Sequence, residues 1–389
     1  MSERVFFHIG LPKSGSTYLQ TALWKHADAL RDVGVLLPSS GVTDHRWGSL
    51  VVRDDRRLPH RPPAARSAWD RVVADVVDWP GTAVISHEFY GGASAEQAKR
   101  AVEALAPAEV HLVVTARDPL RTLTSAWQEI VKYGKTTELD RFSTEVSDDP
   151  SDIWNWRALD VGEVLGRWGS VVPADQVHVL PVPVGKDPEL VWQRFAGLFL
   201  DDPTSLRPGA RPANPSIGLV ACEVMRMVGP HMKGFGALPR STWVRKYLAD
   251  TVLADLARSE GRSVERFLPG PKRIAECRDR GERTVRHVQE AGYDVIGDLD
   301  DLRVDAELPE LRSPTDVTDG EVAQLASEAL GTLLRDLRER TAEQRASERR
   351  LERLSRQLAD NVVPERRTQD WRGMVSRAWP RREVGDKAE

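Results

Sequence analysis

Residues 5–17, VFFHIGLPKSGST, constrain the fold of this chain more than any other segment. They begin with an apolar run, residues 5–9, of the kind that is buried in a parallel β-sheet, and residues 10–15 then turn tightly into a helical pattern. A loop between a buried strand and a helix directs backbone N–H groups toward one point, where the helix dipole favours an anion. The pattern therefore predicts a phosphate or sulfate site after the first strand. Its predicted members are Lys13, Ser14, Gly15, Ser16 and Thr17.

The two glycines of this loop match the first part of the nucleotide-binding P-loop, but the lysine does not. Ser16 stands where the P-loop has its lysine, and the lysine of this chain lies inside the loop, at Lys13. The arrangement PKSGST resembles the 5′-phosphosulfate loop of the sulfotransferases that use 3′-phosphoadenylyl sulfate (PAPS). Taken alone, the loop also fits a glycine turn that binds nothing.

A second motif follows the apolar run of residues 109–116, which predicts a central strand. Arg117 ends this run, and Asp118 and Pro119 are a favourable N-cap and first residue for a helix that starts at the same sheet edge. Ser125 lies about two turns into that helix, so Arg117 and Ser125 could both reach a second anion. The sulfotransferase family binds the 3′-phosphate of PAPS with an arginine and a serine in these places. The resemblance therefore implies that Arg117 and Ser125 bind that phosphate, whereas an arginine at a strand end more often has a structural partner.

Two titratable residues, His87 and Glu88, follow the predicted strand of residues 82–86. The carboxyl edge of a parallel sheet carries the ligand crevice, and a desolvated Glu88 there would have a raised pKa suited to proton abstraction. A cap for the next loop is the alternative role of Glu88. His87 is the rival base, but on an extended chain it points away from its neighbour. Some sulfotransferase branches use a glutamate as the base, so the resemblance implies that Glu88 is the catalytic base. It also implies that Lys13 neutralises the leaving phosphate oxygen.

The resemblance to the bacterial branch of the family covers about residues 4–305 in general pattern, and only the two phosphate motifs are specific. PAPS enzymes often close over the cofactor with a late basic segment, which makes Arg211 a candidate phosphate contact. The surrounding sequence, RPANPS, does not match the usual Arg-Lys-Gly form of that segment.

Strands that alternate with helices predict an α/β fold with a parallel sheet covered on both faces, the P-loop-like fold that the resemblance also implies. The predicted strands are residues 5–9, 34–37, 82–86, 109–116 and 176–182. Residues 39–66 are polar, basic and rich in proline, and they lack a sustained period, which predicts a solvated loop or a lid over the substrate.

The composition changes after Pro314, so the predicted sulfotransferase domain covers residues 1–313. Residues 314–362 predict a long helix, because leucines recur among charges of both signs; it could be a coiled-coil seam or a solvated helix. Residues 363–389 form a basic amphipathic tail that suits a membrane surface, a partner, or its own domain.

Composition excludes several classes of protein. The net charge of -4 argues against a nucleic-acid binder held by bulk charge. Cys222 and Cys277 form neither a disulfide framework nor a zinc pattern, which indicates a reducing, cytoplasmic location. No apolar run approaches membrane-spanning length, and because the first strand starts at once we expect no signal peptide.

The resemblance implies a sulfotransferase that moves the sulfuryl group of PAPS to a hydroxyl or amine and releases adenosine 3′,5′-bisphosphate (PAP), with no metal required. The expected acceptor is a small molecule, a carbohydrate or a glycolipid. A P-loop nucleotide kinase is one alternative and would depend on Mg²⁺. A non-catalytic scaffold that acts through the C-terminal helix is another and would not bind PAP. That helix and the tail could form a homodimer or a peripheral contact with a membrane or partner.

Overall fold

A computed structural model describes residues 2–185, 188–209, 216–259 and 265–361. Within these ranges six strands form one parallel sheet in the order β2-β3-β1-β4-β5-β6. The strands are β1 Ser2–His8, β2 Val35–Leu36, β3 Gly81–Ser86, β4 Glu109–Ala116, β5 Val177–Pro181 and β6 Asp294–Val295. The prediction of an α/β fold with a parallel sheet is confirmed.

Helices connect the strands and cover the sheet. They are α1 Ser16–Lys25, α2 Ala27–Asp32, α3 Val42–Val52, α4 Ala68–Asp78, α5 Ala95–Glu103, α6 Pro119–Lys132, α7 Trp156–Leu159, α8 Val161–Trp168, α9 Pro188–Ala196, α10 Leu219–Val228, α11 Ala237–Pro239, α12 Ala254–Ser259, α13 Pro271–Ala291 and α14 Asp319–Asn361. Arg240–Leu253, between α11 and α12, is a helix of π type, called here the π segment. No helix in the described ranges has both the length and the apolar character that crossing a membrane requires.

Both faces of the sheet are buried, because successive side chains of its inner strands point to opposite sides. Phe7 of β1 belongs to a core with Trp69 of α4 and Trp168 of α8. Phe6, its neighbour, belongs to a second core on the other face, which includes Leu19 of α1 and Phe195 of α9. The helices therefore form layers on both sides of the sheet.

The segment from residue 39 to residue 66 is not the irregular loop that its composition predicts. It contains α3 and two short 3₁₀ turns, Leu58–His60 and Pro63–Ala65. Many of its buried positions are polar: His45 accepts from the Ser86 N–H at 3.2 Å, and Arg53 lies 3.0 Å from the carboxylate of Asp55. A helix that buries polar side chains has no apolar period, which is why the sequence pattern missed it.

The long C-terminal helix occurs as predicted, but the main compact unit of the chain extends into it and ends at Ala329 rather than at residue 313. Val322 and Ala329 are buried, and Glu321 lies 2.9 Å from the Arg312 guanidinium. From Leu330 onward the described part of the second unit is α14 alone. Its exposed leucines are Leu330, Leu334, Leu337, Leu351 and Leu354. Residues 363–389, the predicted tail, lie outside the described residues.

Two truncations should therefore differ in stability. Ending the chain at Ala329 should leave the thermal midpoint of the main unit unchanged. Ending it at Ser313 should lower the stability by about 2 kcal/mol, because buried apolar surface from the first turns of α14 is lost. Thermal denaturation of both truncations beside the full chain measures this difference. Equal midpoints for the two truncations would show that the first turns of α14 do not belong to the main unit.

Candidate active site

The carboxyl ends of β1, β3 and β4 meet at one edge of the sheet, since these strands are adjacent and parallel. Residues that follow each of them line one cavity of about 780 Å³. The predicted site residues that line it are Lys13, Gly15, Ser16, Thr17, His87, Glu88, Arg117 and Ser125. Of the other two, Ser14 is buried, and Arg211 lies outside the described residues.

The N-terminus of α1 is open toward this cavity. Gly15 is its N-cap, with a left-handed φ of 94° that a residue with a side chain adopts only under strain. Within the described residues the N–H groups of Gly15, Ser16 and Thr17 donate no hydrogen bond to a protein acceptor. The first turn of α1 carries no acidic residue and no capping side chain. Three backbone donors and the positive end of a helix dipole are thus available to an anion.

Buried hydrogen bonds fasten Ser14 to its own loop and to β4. Its N–H lies 3.3 Å from the Leu11 carbonyl oxygen, and its Oγ donates to the same oxygen at 2.6 Å. Thr115 lies 2.7 Å from Ser14 Oγ and 3.0 Å from His8 Nε2, and Ser86 Oγ lies 2.8 Å from His8 Nδ1. These distances fit one chain of hydrogen bonds, in which Ser86 Oγ donates to His8 Nδ1, His8 Nε2 donates to Thr115 Oγ1, and Thr115 Oγ1 donates to Ser14 Oγ. His8 accepts at one ring nitrogen and donates at the other in this chain, so it must be neutral. Burial lowers the pKa of His8 to about 4, so it is neutral at pH 7.

Lys13 has a carboxylate partner that the sequence analysis did not identify. Its Nζ lies 3.1 Å from Glu129 Oε2, and Glu129 Oε1 accepts from Arg245 Nε at 2.8 Å. Burial lowers the pKa of Lys13 below its ordinary value, and Glu129 opposes this effect. Burial disfavours the charge of Glu129 as well, but Lys13 and Arg245 hold its pKa at about 2. Glu129 lies one turn after Ser125 on α6, a spacing that places both on one helix face.

The two predicted phosphate motifs lie side by side. Arg117 Nη1 is 3.4 Å from Ser125 Oγ and 3.5 Å from the carbonyl oxygen of Lys13. The predicted helix start is confirmed, with Asp118 as the N-cap of α6 and Pro119 as its first residue. The Asp118 carboxylate accepts from the Arg121 N–H at 2.9 Å. The end of β4 and the start of α6 therefore present a guanidinium and a hydroxyl beside the loop after β1.

Glu88 is held by the same helix that carries the open N-terminus. Its Oε2 accepts from Gln20 Nε2 at 2.8 Å, and Gln20 lies one helical turn after Ser16. Burial raises the pKa of Glu88, but His87, Gln20 and the backbone together outweigh burial and leave the pKa below its ordinary value. The expectation of a raised pKa is therefore wrong, and Glu88 is a carboxylate at neutral pH.

His87 does not point away from Glu88, as an extended chain would require. Its Nδ1 lies 3.9 Å from Glu88 Oε2 and accepts from the Phe89 N–H at 3.2 Å. The alternation of a strand ends at His87, because Glu88–Gly92 forms a 3₁₀ helix for which His87 is the N-cap. Burial lowers the pKa of His87 to about 4. Both candidate bases thus lie in one cavity, the carboxylate charged and the imidazole neutral at pH 7.

Comparisons with family models, curated proteins and solved structures find no match to this chain. Within the described ranges, no group of three or more histidine, cysteine, aspartate and glutamate residues is arranged to hold a metal ion.

Proposed function

We propose that this chain has the P-loop-like sulfotransferase fold and transfers the sulfuryl group of PAPS to a hydroxyl or amine of a small-molecule, carbohydrate or glycolipid acceptor, releasing PAP. One observation carries the proposal. The Arg117 guanidinium lies within 3.5 Å of both the Lys13 carbonyl oxygen and the Ser125 hydroxyl, so two anion sites adjoin in one cavity. A nucleotide with a phosphate on each side of its ribose suits such a pair of sites.

The residues present fit such a nucleotide. The open N–H groups of Gly15, Ser16 and Thr17 suit its 5′-phosphosulfate, while Arg117 and Ser125 suit its 3′-phosphate. When bound, PAPS supplies an activated sulfuryl group whose departure leaves negative charge on a phosphate oxygen. The Lys13 ammonium and the N–H groups of the loop are donors already fixed in place for that charge.

Glu88 is the proposed base for the acceptor. Its carboxylate is ionised at neutral pH, and Gln20 holds it about one helical turn from the N-terminus of α1. The acceptor oxygen or nitrogen attacks sulfur, the bond from sulfur to the phosphate oxygen breaks, and the proton of the acceptor passes to Glu88.

PAP should stabilise the protein against heat without added metal. At about 100 times its dissociation constant, a ligand that binds only the folded state adds roughly 2.7 kcal/mol. A thermal-shift series with PAP, PAPS, ATP and GTP, each with and without Mg²⁺, measures this effect. Stabilisation by ATP with Mg²⁺ but not by PAP would favour the kinase alternative, and no response to any nucleotide would favour the scaffold.

Arg117→Ala should weaken PAP binding roughly 10- to 100-fold, the range expected when a hydrogen bond between charged groups is lost. Binding of adenosine 5′-phosphosulfate, which lacks the 3′-phosphate, should change far less. Calorimetric titration of both nucleotides separates the two effects. Arg141→Ala is the control, since Arg141 is exposed and pairs with Glu138. Equal losses for the two nucleotides would remove Arg117 from the 3′-phosphate site.

A further inference from the structure

A chain of ion pairs leads from the loop after β1 into the π segment. Lys13 Nζ lies 3.1 Å from Glu129, and Glu129 lies 2.8 Å from Arg245 Nε. Arg245 in turn lies 3.3 Å from Asp250, which pairs with Lys132 at 2.7 Å. Each oxygen of the Glu129 carboxylate thus contacts a different cation, and Arg245 is fixed from both sides by carboxylates.

The ion pair between Lys13 and Glu129 affects the charge of Lys13 strongly because both side chains are largely buried. The side chain of Glu129 is 9% exposed and that of Lys13 is 19% exposed. In such surroundings an ammonium without a counter-charge readily loses its proton, whereas a paired ammonium keeps it. An ammonium has three donor hydrogens, so the contact of Lys13 with Glu129 uses one and, within the described part of the chain, leaves two for another acceptor.

We propose that Glu129 is a positioning residue that keeps the Lys13 side chain in place and in its charged form beside the open N-terminus of α1, and that Arg245 fixes Glu129 in turn. The inference rests on the proposed function, because it assumes that Lys13 meets the charge of the departing phosphate oxygen. Among the described residues, the charged groups beside the Lys13 ammonium are Glu129 and Lys132 of α6 and Arg245 of the π segment. The Arg117 guanidinium lies 3.5 Å from the Lys13 carbonyl oxygen. Of these four groups only Glu129 is negative and favours the ammonium.

The first test measures the state of Lys13 without any nucleotide. Acetic anhydride reacts only with the neutral amine, so the labelling rate of Lys13 in the full chain, followed by mass spectrometry across pH, reports its protonation. Glu129→Gln should label roughly tenfold faster at neutral pH, because loss of an adjacent opposite charge lowers the pKa of the ammonium. Lys25 and Lys99, elsewhere in the chain, are internal references whose labelling should not change. Unchanged labelling of Lys13 would overturn the proposal.

Two further variants show whether a change in Lys13 labelling comes from the lost Glu129 charge or from a general disturbance of the fold. Glu276→Gln removes a carboxylate that pairs with Arg273 and Arg280, and it should leave Lys13 labelling as in the unmodified protein. Glu129→Asp keeps the charge and should restore slow labelling. If Glu129→Gln does not fold, Glu129→Asp still tests the proposal: the shorter side chain should lower kcat at unchanged PAP affinity, and an unchanged kcat would contradict it.

The second test concerns transfer itself. Glu129→Gln should lower kcat roughly tenfold or more while the dissociation constant of PAP stays within about threefold. The active form of Lys13 is protonated and is lost as pH rises through its pKa. Because the substitution lowers that pKa, the alkaline limb of the kcat profile should move to lower pH. An unchanged limb, or faster transfer, would overturn the inference. Failure of the unmodified protein to bind PAP would instead refute the proposed function and leave the labelling result intact.

Discussion

Lys13→Met is expected to slow sulfuryl transfer by about 10²- to 10³-fold, the loss typical when one fixed donor to a developing oxyanion is removed. Lys13 occupies a left-handed backbone position, with φ 69°, inside the loop whose N–H groups face the cavity. Methionine keeps the length of the side chain and removes its charge. Single-turnover rates with saturating PAPS measure the effect on the chemical step alone.

Lys25→Met is the matched control for this substitution. Lys25 lies at the other end of α1, is exposed, and should tolerate the change without loss of rate. The Glu129 carboxylate remains paired with Arg245 in the Lys13 variant, so the fold should persist. A Lys13 variant with nearly full turnover would show that the departing charge is met by the backbone N–H groups without the lysine.

The parts of the fold that were predictable are those specified by neighbouring residues. β1, β3 and β4 read as short apolar runs because both of their faces are buried. The loop after β1 and the start of α6 depend on glycine conformation, an N-cap aspartate and a proline, each of which acts within a few residues. Their meeting at one sheet edge then follows from parallel strand order.

The parts that were missed depend on contacts between distant residues. Glu129 and Arg245 are separated by 116 residues, and no local pattern joins them. The pKa of Glu88 depends in part on such a contact: burial raises it, whereas the adjacent His87 and then Gln20, 68 residues earlier, lower it. Local spacing predicted that Glu88 would be buried, but not which partners would stabilise its charge.

α3 and β6 were missed for a different reason. α3 buries His45, Ser49 and Asp44 as well as apolar residues, so hydrophobic periodicity does not identify it. β6 has only two residues, and it is a strand because it pairs with β5. Both elements are defined by tertiary contacts rather than by their own composition.

Glu88→Gln is the second substitution with a large expected effect, a fall in kcat of roughly 10²-fold or more with PAP affinity within about twofold. Glutamine is nearly isosteric and can still accept from Gln20, so the contact with α1 should remain. A carboxylate base acts above its pKa and is lost as pH falls through it. Because the pKa of Glu88 lies below its ordinary value, activity of the unmodified protein should persist into mildly acidic solution. Initial rates across pH measure both effects.

His87→Asn is the comparison that decides between the two candidate bases. An unperturbed histidine would have the more convenient pKa, but burial lowers the pKa of His87 to about 4, so it accepts a proton no more readily than an ordinary carboxylate. The asparagine oxygen can still accept from the Phe89 N–H, which His87 Nδ1 now accepts at 3.2 Å. The histidine variant should therefore lose much less rate than Glu88→Gln. The reverse ranking, with the Glu88 variant nearly fully active and the His87 variant inactive, would assign the base to His87.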